Sequence, residues 1–334
     1  SRDLGSLDEG SERAALSILV EFTPECDIAR WEVIRSVIRS DDALTYEDAD
    51  LALVNGRHRL QPMLSSLQWA SRELRHRREE SGGINLERSE MTVRVIEGIH
   101  IDVKVAKRSG PSRELVEDLM VLCNSILASF ALNEGLPVLY RSQPTADLSD
   151  LLPDNSACDD TVTEIFRRYS VIKRLPSAQV GIVPNPHAGL GVSAYLQSTS
   201  PLRRYPDLIL QRQISCYCVD GGTIYSAQEL ESLGQRAEMQ LREIAHLEEG
   251  RKRYWFLKHL MLTRLEGDGE CELDMFDAVV LENDFQRRGL VELMEFPFRA
   301  RVELPLKVTP GDKVSVRLQS IDLWRRAIQF GYIG

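Results

Sequence analysis

Two consecutive arginines follow a Ser-Pro step in residues 199–204, which read Thr-Ser-Pro-Leu-Arg-Arg. Proline suits the first position of a helix and serine the position before it, so a helix is predicted to begin near Pro201. A helix N-terminus offers free N–H groups and partial positive charge, which suit a phosphate group. Arginines in the first turn oppose the helix dipole, which is tolerable where a site needs concentrated positive charge. The alternative is a solvated basic turn without a ligand.

Length, composition and charge indicate a two-domain protein with no membrane segment. The chain has 334 residues, of which 28% are charged and 43% are hydrophobic, and its formal net charge is −10. A single core rarely grows beyond about 250–300 residues, so two domains are expected. The net charge argues against a protein that coats nucleic acid, although it is compatible with a narrow basic track. No apolar run approaches the ~20 residues of a membrane-spanning helix.

The cysteines favour a reducing compartment over a disulfide framework or a zinc site. Their spacing matches no metal motif, and Cys216 and Cys218 are separated by one residue instead of two. The first ten residues are polar and lack the apolar stretch of a signal peptide. Reduced thiols and a cytoplasmic location are therefore predicted. The six cysteines are Cys26, Cys123, Cys158, Cys216, Cys218 and Cys271.

Hydrophobic periodicity predicts strands mixed with helices over residues 1–265. Thr45 and Asp48 have the spacing of a capping box, which marks a helix start. An apolar stripe defines the clearest helix, residues 112–133, with Ser112 as its expected N-cap. Glu117 and Asn124 lie seven residues apart and so share a face of that helix. Strands are predicted at 13–22, at 31–39 and twice within 84–107, and further helices at 63–80, 160–175 and 227–265.

Residues 266–334 differ from the rest because short alternating segments follow one another with turns between them. The segments are 276–281, 289–293, 299–304, 312–318 and 326–330. About five strands in so short a stretch favour a small OB-type barrel. Two domains are therefore predicted, a mixed α/β domain over residues 1–265 and a barrel over residues 266–334.

Residues 187–208 resemble the signature of the ribonuclease II (RNB) family, His-x-Gly-Leu…Tyr…Thr-Ser-Pro-Ile/Leu-Arg-Arg-Tyr-x-Asp-Leu. Residues 36–48 and 115–124 resemble two further family segments in the same order. The resemblance spans nearly the whole chain. It implies an α+β fold, in which the C-terminal part of the catalytic domain, a mixed sheet with helices, precedes an OB-type RNA-binding barrel.

The resemblance implies a 3′→5′ exoribonuclease that hydrolyses single-stranded RNA to nucleoside 5′-monophosphates with Mg²⁺. Arg203 matches the arginine that contacts the phosphate to be cleaved, where a planar guanidinium can bind two oxygens at once. Arg204 matches a position that varies between arginine and lysine in the family. Both are expected to belong to the catalytic site.

Other matched positions are expected to contact RNA. Tyr46 matches a tyrosine near the RNA 3′ end, with a core or capping tyrosine as the alternative. Glu117 matches a glutamate that contacts sugar and base, although Asp118 is an alternative match. Glu248 resembles a glutamate in the helix before the barrel, and His187 matches a motif position for which a structural role is expected.

Aromatic and basic side chains of the barrel are expected to include a platform for single-stranded RNA, with about half of them in the core. The sequence alone does not sort them. They are Phe276, Phe285, Phe296, Phe298, Arg299, Arg301, Trp324 and Arg325.

The chain departs from the family in one respect that concerns metal. The resemblance implies four aspartates that bind Mg²⁺ in a segment like Asp-x-x-x-x-x-Asp-x-Asp-Asp-Ala, about a hundred residues before the position of Tyr46. Asp41 and Asp42 echo that segment only superficially, so no metal ligand is expected on this chain. We therefore expect the chain alone to be inactive, with the aspartates upstream or on a companion fragment. The alternatives are a non-catalytic RNA-binding relative that lacks the metal site and a protein-interaction scaffold.

Overall fold

The computed structural model describes residues 5–86, 89–97, 100–107, 110–151, 161–266 and 274–334. The predicted strands and helices are present there, apart from differences at two helix starts. The strands are β1 (Glu12–Phe22), β2 (Ile28–Arg39), β3 (Ser89–Ile96), β4 (His100–Lys107), β5 (Tyr140–Ser142), β6 (Gln179–Gly181), β7 (Met275–Asn283), β8 (Arg288–Leu293), β9 (Arg299–Glu303), β10 (Lys313–Asp322) and β11 (Ala327–Tyr332). The helices are α1 (Tyr46–Val54), α2 (Gln61–Glu80), α3 (Pro111–Asn133), α4 (Thr161–Arg174), α5 (Tyr205–Asp220) and α6 (Ala227–Glu266).

The chain divides into two compact units that interleave along the sequence. The first comprises Ser1–Asn85, Ser109–Ala146 and Pro176–Leu241, and the second comprises Leu86–Arg108, Asp147–Leu175 and Arg242–Gly334. A boundary between residues 265 and 266 stays a prediction.

The first unit is organised around α3. Its buried side chains join those of β2, α5 and the segment 136–140 in one hydrophobic core. By length and composition α3 could cross a membrane, but its buried face is part of this core. β1 and β2 pair antiparallel along their whole length, and β5 pairs with β6. The α+β class is therefore confirmed, but in the part of this unit that the structure describes the strands form two-stranded antiparallel sheets instead of one mixed sheet.

A buried carboxylate ties α2 to α3. Asp118 on α3 is only 2% exposed. It accepts hydrogen bonds from Ser71 Oγ at 2.5 Å and from Arg75 Nη2 at 2.8 Å, and Arg78 completes the set. Arg75 also reaches Glu114 at 2.8 Å. A buried carboxylate needs such partners, so Arg75 and Arg78, at the basic end of α2, hold that helix on α3.

The second unit contains a closed five-stranded barrel. The strands are hydrogen-bonded in the cyclic order β7-β8-β9-β11-β10, and only the β9–β11 pair is parallel. This is the five-stranded barrel of the OB type that alternation predicts. Its interior is apolar, and Phe256, Leu257 and Leu260 of α6 pack into the same core.

Helix α4 covers the outside of the barrel along β7 and β8. Its Ile165 packs on Val279 and Leu281, with Leu290 and Met294 beside them. A second set of contacts is ionic, because Arg168 of α4 pairs with the buried Glu292 of β8, which also accepts from Arg299 Nε at 2.8 Å.

A further contact joins Tyr169 of α4 to Glu282 of β7 by a hydrogen bond from the phenol. Burial and that hydrogen bond raise the pKa of Tyr169 to about 12. The phenol therefore keeps its proton and remains a donor throughout the ordinary pH range.

We expect Arg168→Met to lower the free energy of unfolding by on the order of 3 kcal/mol, because it removes one partner of a buried carboxylate. Arg168 and Glu292 are only 10% and 3% exposed at their side chains. Urea denaturation measures the change. The matched control is Arg325→Met on the same barrel, where the side chain is 86% exposed and a change within about 0.5 kcal/mol is expected. Equal effects of the two variants would contradict a structural role for the buried pair.

Candidate functional site

The turn that carries the two arginines precedes a helix instead of beginning one. The backbone N–H groups of Arg203 and Arg204 both donate to Ser200 O, at 3.2 and 2.9 Å, and α5 begins only at Tyr205. The prediction of a helix start near Pro201 is therefore wrong. A helix from there would place Pro206 in its interior, where a proline loses a hydrogen bond and clashes, whereas Pro206 now lies in the first turn.

Asp207 holds this turn in place from within α5. It is 1% exposed and accepts from Ser200 N at 2.8 Å, from Arg204 Nε at 3.0 Å and from Arg204 Nη2 at 2.6 Å. Burial raises the pKa of the Asp207 carboxyl, while the Ser200 N–H and the two arginines oppose that rise. Arg204 is thereby committed to positioning the turn.

Arg203, unlike Arg204, is not bound by any carboxylate in the described part of the chain. Its side chain is exposed, and within the part of the chain that the structure describes it makes no hydrogen bond or ion pair. The turn therefore presents to solvent a guanidinium that has no hydrogen-bond or ion-pair partner among the described residues. Such a group can bind two oxygens of one phosphate through parallel N–H donors.

A buried amide of α3 anchors the residues just before the turn. Asn124 Nδ2 donates to Tyr195 Oη at 3.0 Å, and Asn124 Oδ1 accepts from Ser198 N and Ser198 Oγ, both at 3.1 Å. Gln211 Nε2 of α5 donates to Ser198 O at 2.7 Å. Residues 198–204 are consequently fixed to α3 at one end and to α5 at the other.

The face of α3 that holds Asn124 continues toward two of the predicted site residues. Glu117 lies two turns earlier, about 10 Å along the axis, and is exposed where Asn124 is covered. Arg113 follows one turn further, and its guanidinium carbon lies 4.1 Å from the centre of the Tyr46 ring. Tyr46, Glu117 and the anchored turn 198–204 are thus arranged along one face of α3.

The start of α1 is placed by local and distant contacts. The predicted capping box is confirmed, since Asp48 N donates to Thr45 Oγ1 at 3.1 Å and Thr45 N donates to Asp48 Oδ2 at 3.3 Å. The prediction that Ser112 caps α3 is wrong. Its N–H donates to Asp50 Oδ1 at 2.8 Å and its hydroxyl donates to Tyr46 O at 3.0 Å, so α1 supplies the cap and α3 holds Tyr46.

Glu117 and Asp118, the two alternative matches to the family glutamate, differ in burial. Asp118 is enclosed, its Oδ2 accepts from Ser71 and Arg75 and its Oδ1 accepts from Arg78. Of the pair, only Glu117 is therefore open to a ligand. Glu248 is exposed on α6 in the second unit.

His187 is a buried residue that packs edge-on against Tyr195, with ring centres 5.6 Å apart. Burial and, after it, the charge of Arg141 lower the pKa of His187. The imidazole is therefore neutral near pH 7, which fits the expected structural role.

The described residues do not form a metal site. They contain no group of three or more His, Cys, Asp or Glu side chains placed to hold an ion. Asp42 pairs with Arg59 and Asp41 lies 3.9 Å from Arg39. The donors present therefore do not fit Mg²⁺, and no chemical step through a metal follows from them.

The aromatic and basic residues of the barrel divide into a buried or paired group and an exposed group. Phe276 and Phe298 are buried, Phe296 packs on the same core, and Arg299 is paired with Glu292. Phe285 and Trp324 are each 98% exposed, and Arg301 and Arg325 are also exposed.

Two residues of the site were not predicted. Asp207 was only part of a matched segment, although an acidic residue three positions after Arg204 is a usable signal for an ion pair. Arg113 had no such signal, because its partner Tyr46 lies far away in sequence.

Comparisons with known proteins agree with this architecture. A model of the RNB domain matches residues 1–220, and a model of the RNase II-type exonuclease C-terminal S1 domain matches residues 274–333. The chain belongs to the RNB family. The resemblance inferred from the sequence and the α+β fold with a terminal barrel are both confirmed.

Individual relatives are longer than this chain. An uncharacterized ribonuclease of Synechocystis sp. is 27% identical over 327 residues, covering 97% of the chain and 47% of that protein. The chloroplastic/mitochondrial ribonuclease II of Arabidopsis thaliana is 28% identical over 320 residues, covering 94% and 38%. RNase R of Mycoplasma genitalium, in complex with ribose methylated single-stranded RNA, superposes with a TM-score of 0.79 at 19% identity, covering 99% and 59%. The chain spans less than half of each curated relative's length.

We expect His187→Gln to weaken the acid sensitivity of the fold. A histidine whose folded pKa is lowered binds fewer protons than in the unfolded state, so stability falls as pH drops below the ordinary value of 6.5. The urea midpoint, measured from pH 8 to pH 5 relative to its value at pH 8, should therefore decline less in the variant. His76→Gln, at a side chain 64% exposed, is the control and should decline like the parent. An unchanged decline in His187→Gln would contradict a cost of protonating His187.

Proposed function

We propose that this chain forms part of the RNA-binding groove of an RNB-family exoribonuclease. The observation that carries the proposal is the unpaired guanidinium of Arg203, held on an anchored turn beside the open face of α3. Such a guanidinium attracts a phosphodiester, and the family supports an RNA substrate.

Each open side chain along α3 has a chemical role in this proposal. Arg203 binds a phosphate. Glu117 accepts a hydrogen bond from a ribose 2′-OH, which is the group that distinguishes RNA from DNA. The exposed ring of Tyr46, with Arg113 against one of its faces, stacks on a base. Glu248 remains a proposed contact on α6, and Arg204 contributes by positioning the turn.

The direction and products of hydrolysis belong to the same proposal. We propose 3′→5′ degradation of single-stranded RNA to nucleoside 5′-monophosphates in the cytoplasm, dependent on Mg²⁺ held by residues outside those described. A Mycoplasma RNase R has been solved with single-stranded RNA, which supports the substrate class. The alternative proposal is an RNA-binding relative without catalysis, motivated by the lack of a metal cluster among the described residues.

We expect the isolated 334-residue chain to release no mononucleotides from single-stranded RNA in the presence of Mg²⁺, because its described donors do not fit a metal site. Chromatography of the products measures this. Robust degradation that stops on chelation would show that the chain holds a metal centre of its own, and it would also exclude the non-catalytic alternative.

We expect the same chain to bind single-stranded RNA with a salt-dependent affinity, and Arg203→Ala to reduce the dependence. Each phosphate contact contributes about 0.7 to the slope of log K against log salt for a single strand, so the variant's slope should be shallower by roughly that amount. Arg30→Ala is the control, because that arginine is 67% exposed on β2 and belongs to no matched motif. If the slope for Arg203→Ala equalled that of Arg30→Ala, Arg203 would not contact phosphate.

A further inference from the structure

Arg113 of α3 lies against the ring of Tyr46, at the point where the starts of α1 and α3 meet. Its guanidinium carbon is 4.1 Å from the centre of that ring, which is well within the range of a cation–π contact. Tyr46 is 38% exposed, and among the described residues no other ring or cation stacks on it. The guanidinium therefore covers one face of the ring.

The backbone of Tyr46 is held by the residue just before Arg113. The hydroxyl of Ser112, which is 5% exposed, donates to Tyr46 O at 3.0 Å. The Ser112 N–H donates to Asp50 Oδ1 at 2.8 Å, one turn further along α1. Two consecutive residues of α3 thus contact the carbonyl and the ring of a single tyrosine, so α3 sets the direction in which that ring faces.

The charge of Arg113 is partly neutralised, which separates this arginine from Arg203. Arg113 Nη2 lies 3.8 Å from Glu47 Oε1, on the residue after Tyr46, whereas Arg203 has no ion-pair partner in the described ranges. A cation in the first turn of a helix also opposes the helix dipole, so the start of α3 does not by itself favour an arginine. Stacking on the Tyr46 ring is the contact that this placement provides.

A ring that is already held binds a base at a lower entropic cost than a free one. A base that stacks on an unsupported side chain must also immobilise it, and that ordering opposes binding. The guanidinium on one face of Tyr46 removes part of this cost and leaves the other face for the base. We infer that Arg113 is a positioning residue for RNA, which acts through Tyr46 and does not itself bind phosphate.

This inference rests on the proposed RNA-binding function, and it adds to that function a residue outside the three matched segments. The test is a double-mutant cycle on the full 334-residue chain, with affinity for oligouridylate measured by fluorescence anisotropy. Both side chains are more than a third exposed, so their substitution should leave folding intact.

Arg113→Met removes the charge and keeps most of the aliphatic stem. It should weaken binding by about two- to fivefold, the range set by one exposed cation–π contact. In Tyr46→Leu protein the same substitution should have no effect, because the ring through which Arg113 acts is gone. Arg113→Lys keeps a cation over the ring, so it should retain more of the parent affinity than Arg113→Met.

The salt dependence distinguishes ring positioning from a direct ionic contact. The slope of log K against log salt should be the same in Arg113→Met as in the parent, whereas loss of a phosphate contact would make it shallower by about 0.7. The matched control is Arg30→Met, at an arginine that likewise has a carboxylate neighbour, Glu32 at 3.4 Å, but no ring partner among the described residues. That variant should bind like the parent.

Equal losses from Arg113→Met in the parent and in Tyr46→Leu protein would overturn the inference, and a shallower salt slope beside them would identify a direct phosphate contact. The absence of any loss in the parent would overturn it too. In either case, weakened binding by Arg203→Ala would leave the proposed function intact. A Tyr46→Leu variant that binds like the parent would remove the ring from the site, and the inference with it. A parent chain that does not bind oligouridylate would overturn both proposals.

Discussion

Two buried polar side chains of α3 determine what can be built around that helix. Asn124 and Asp118 are 1% and 2% exposed, and a buried amide or carboxylate destabilises a fold by roughly 1–3 kcal/mol or more unless partners satisfy it. The loop 195–198 satisfies Asn124, and the arginines of α2 satisfy Asp118. These hydrogen bonds fix both α2 and the turn after the loop against α3.

The same requirement separates neighbouring residues into two roles. Arg204 is bound by Asp207, whereas Arg203 beside it faces solvent. Asp118 is enclosed, whereas Glu117 beside it is open. In each pair, one charge is neutralised to build the fold and the adjacent one stays free for a ligand. A free charge is useful only where its backbone is rigid, and the paired neighbour supplies that rigidity.

Features that depend on local patterns were predictable from the sequence. The capping box at Thr45 and the five barrel strands follow from short-range spacing and alternation. The predictions that failed depended on competing or distant partners. Pro206 fits only the first turn of a helix, so α5 begins at Tyr205 instead of near Pro201. Ser112 does not cap α3, because the carboxylate of Asp50, 62 residues away in sequence, accepts the backbone N–H of Ser112. The barrel aromatics could not be sorted, because alternation separates inside from outside but does not reveal that α4 covers part of the outside.

The net charge of −10 makes the placement of these few contacts decisive for an RNA ligand. A polyanion gains no long-range attraction from an acidic protein, and beyond about 8 Å physiological salt screens most of the repulsion. Affinity must then arise at short range, from individual guanidinium groups and from ring stacking, which salt affects little. Stacking on Tyr46 would therefore carry a larger share of binding here than in a basic RNA-binding protein.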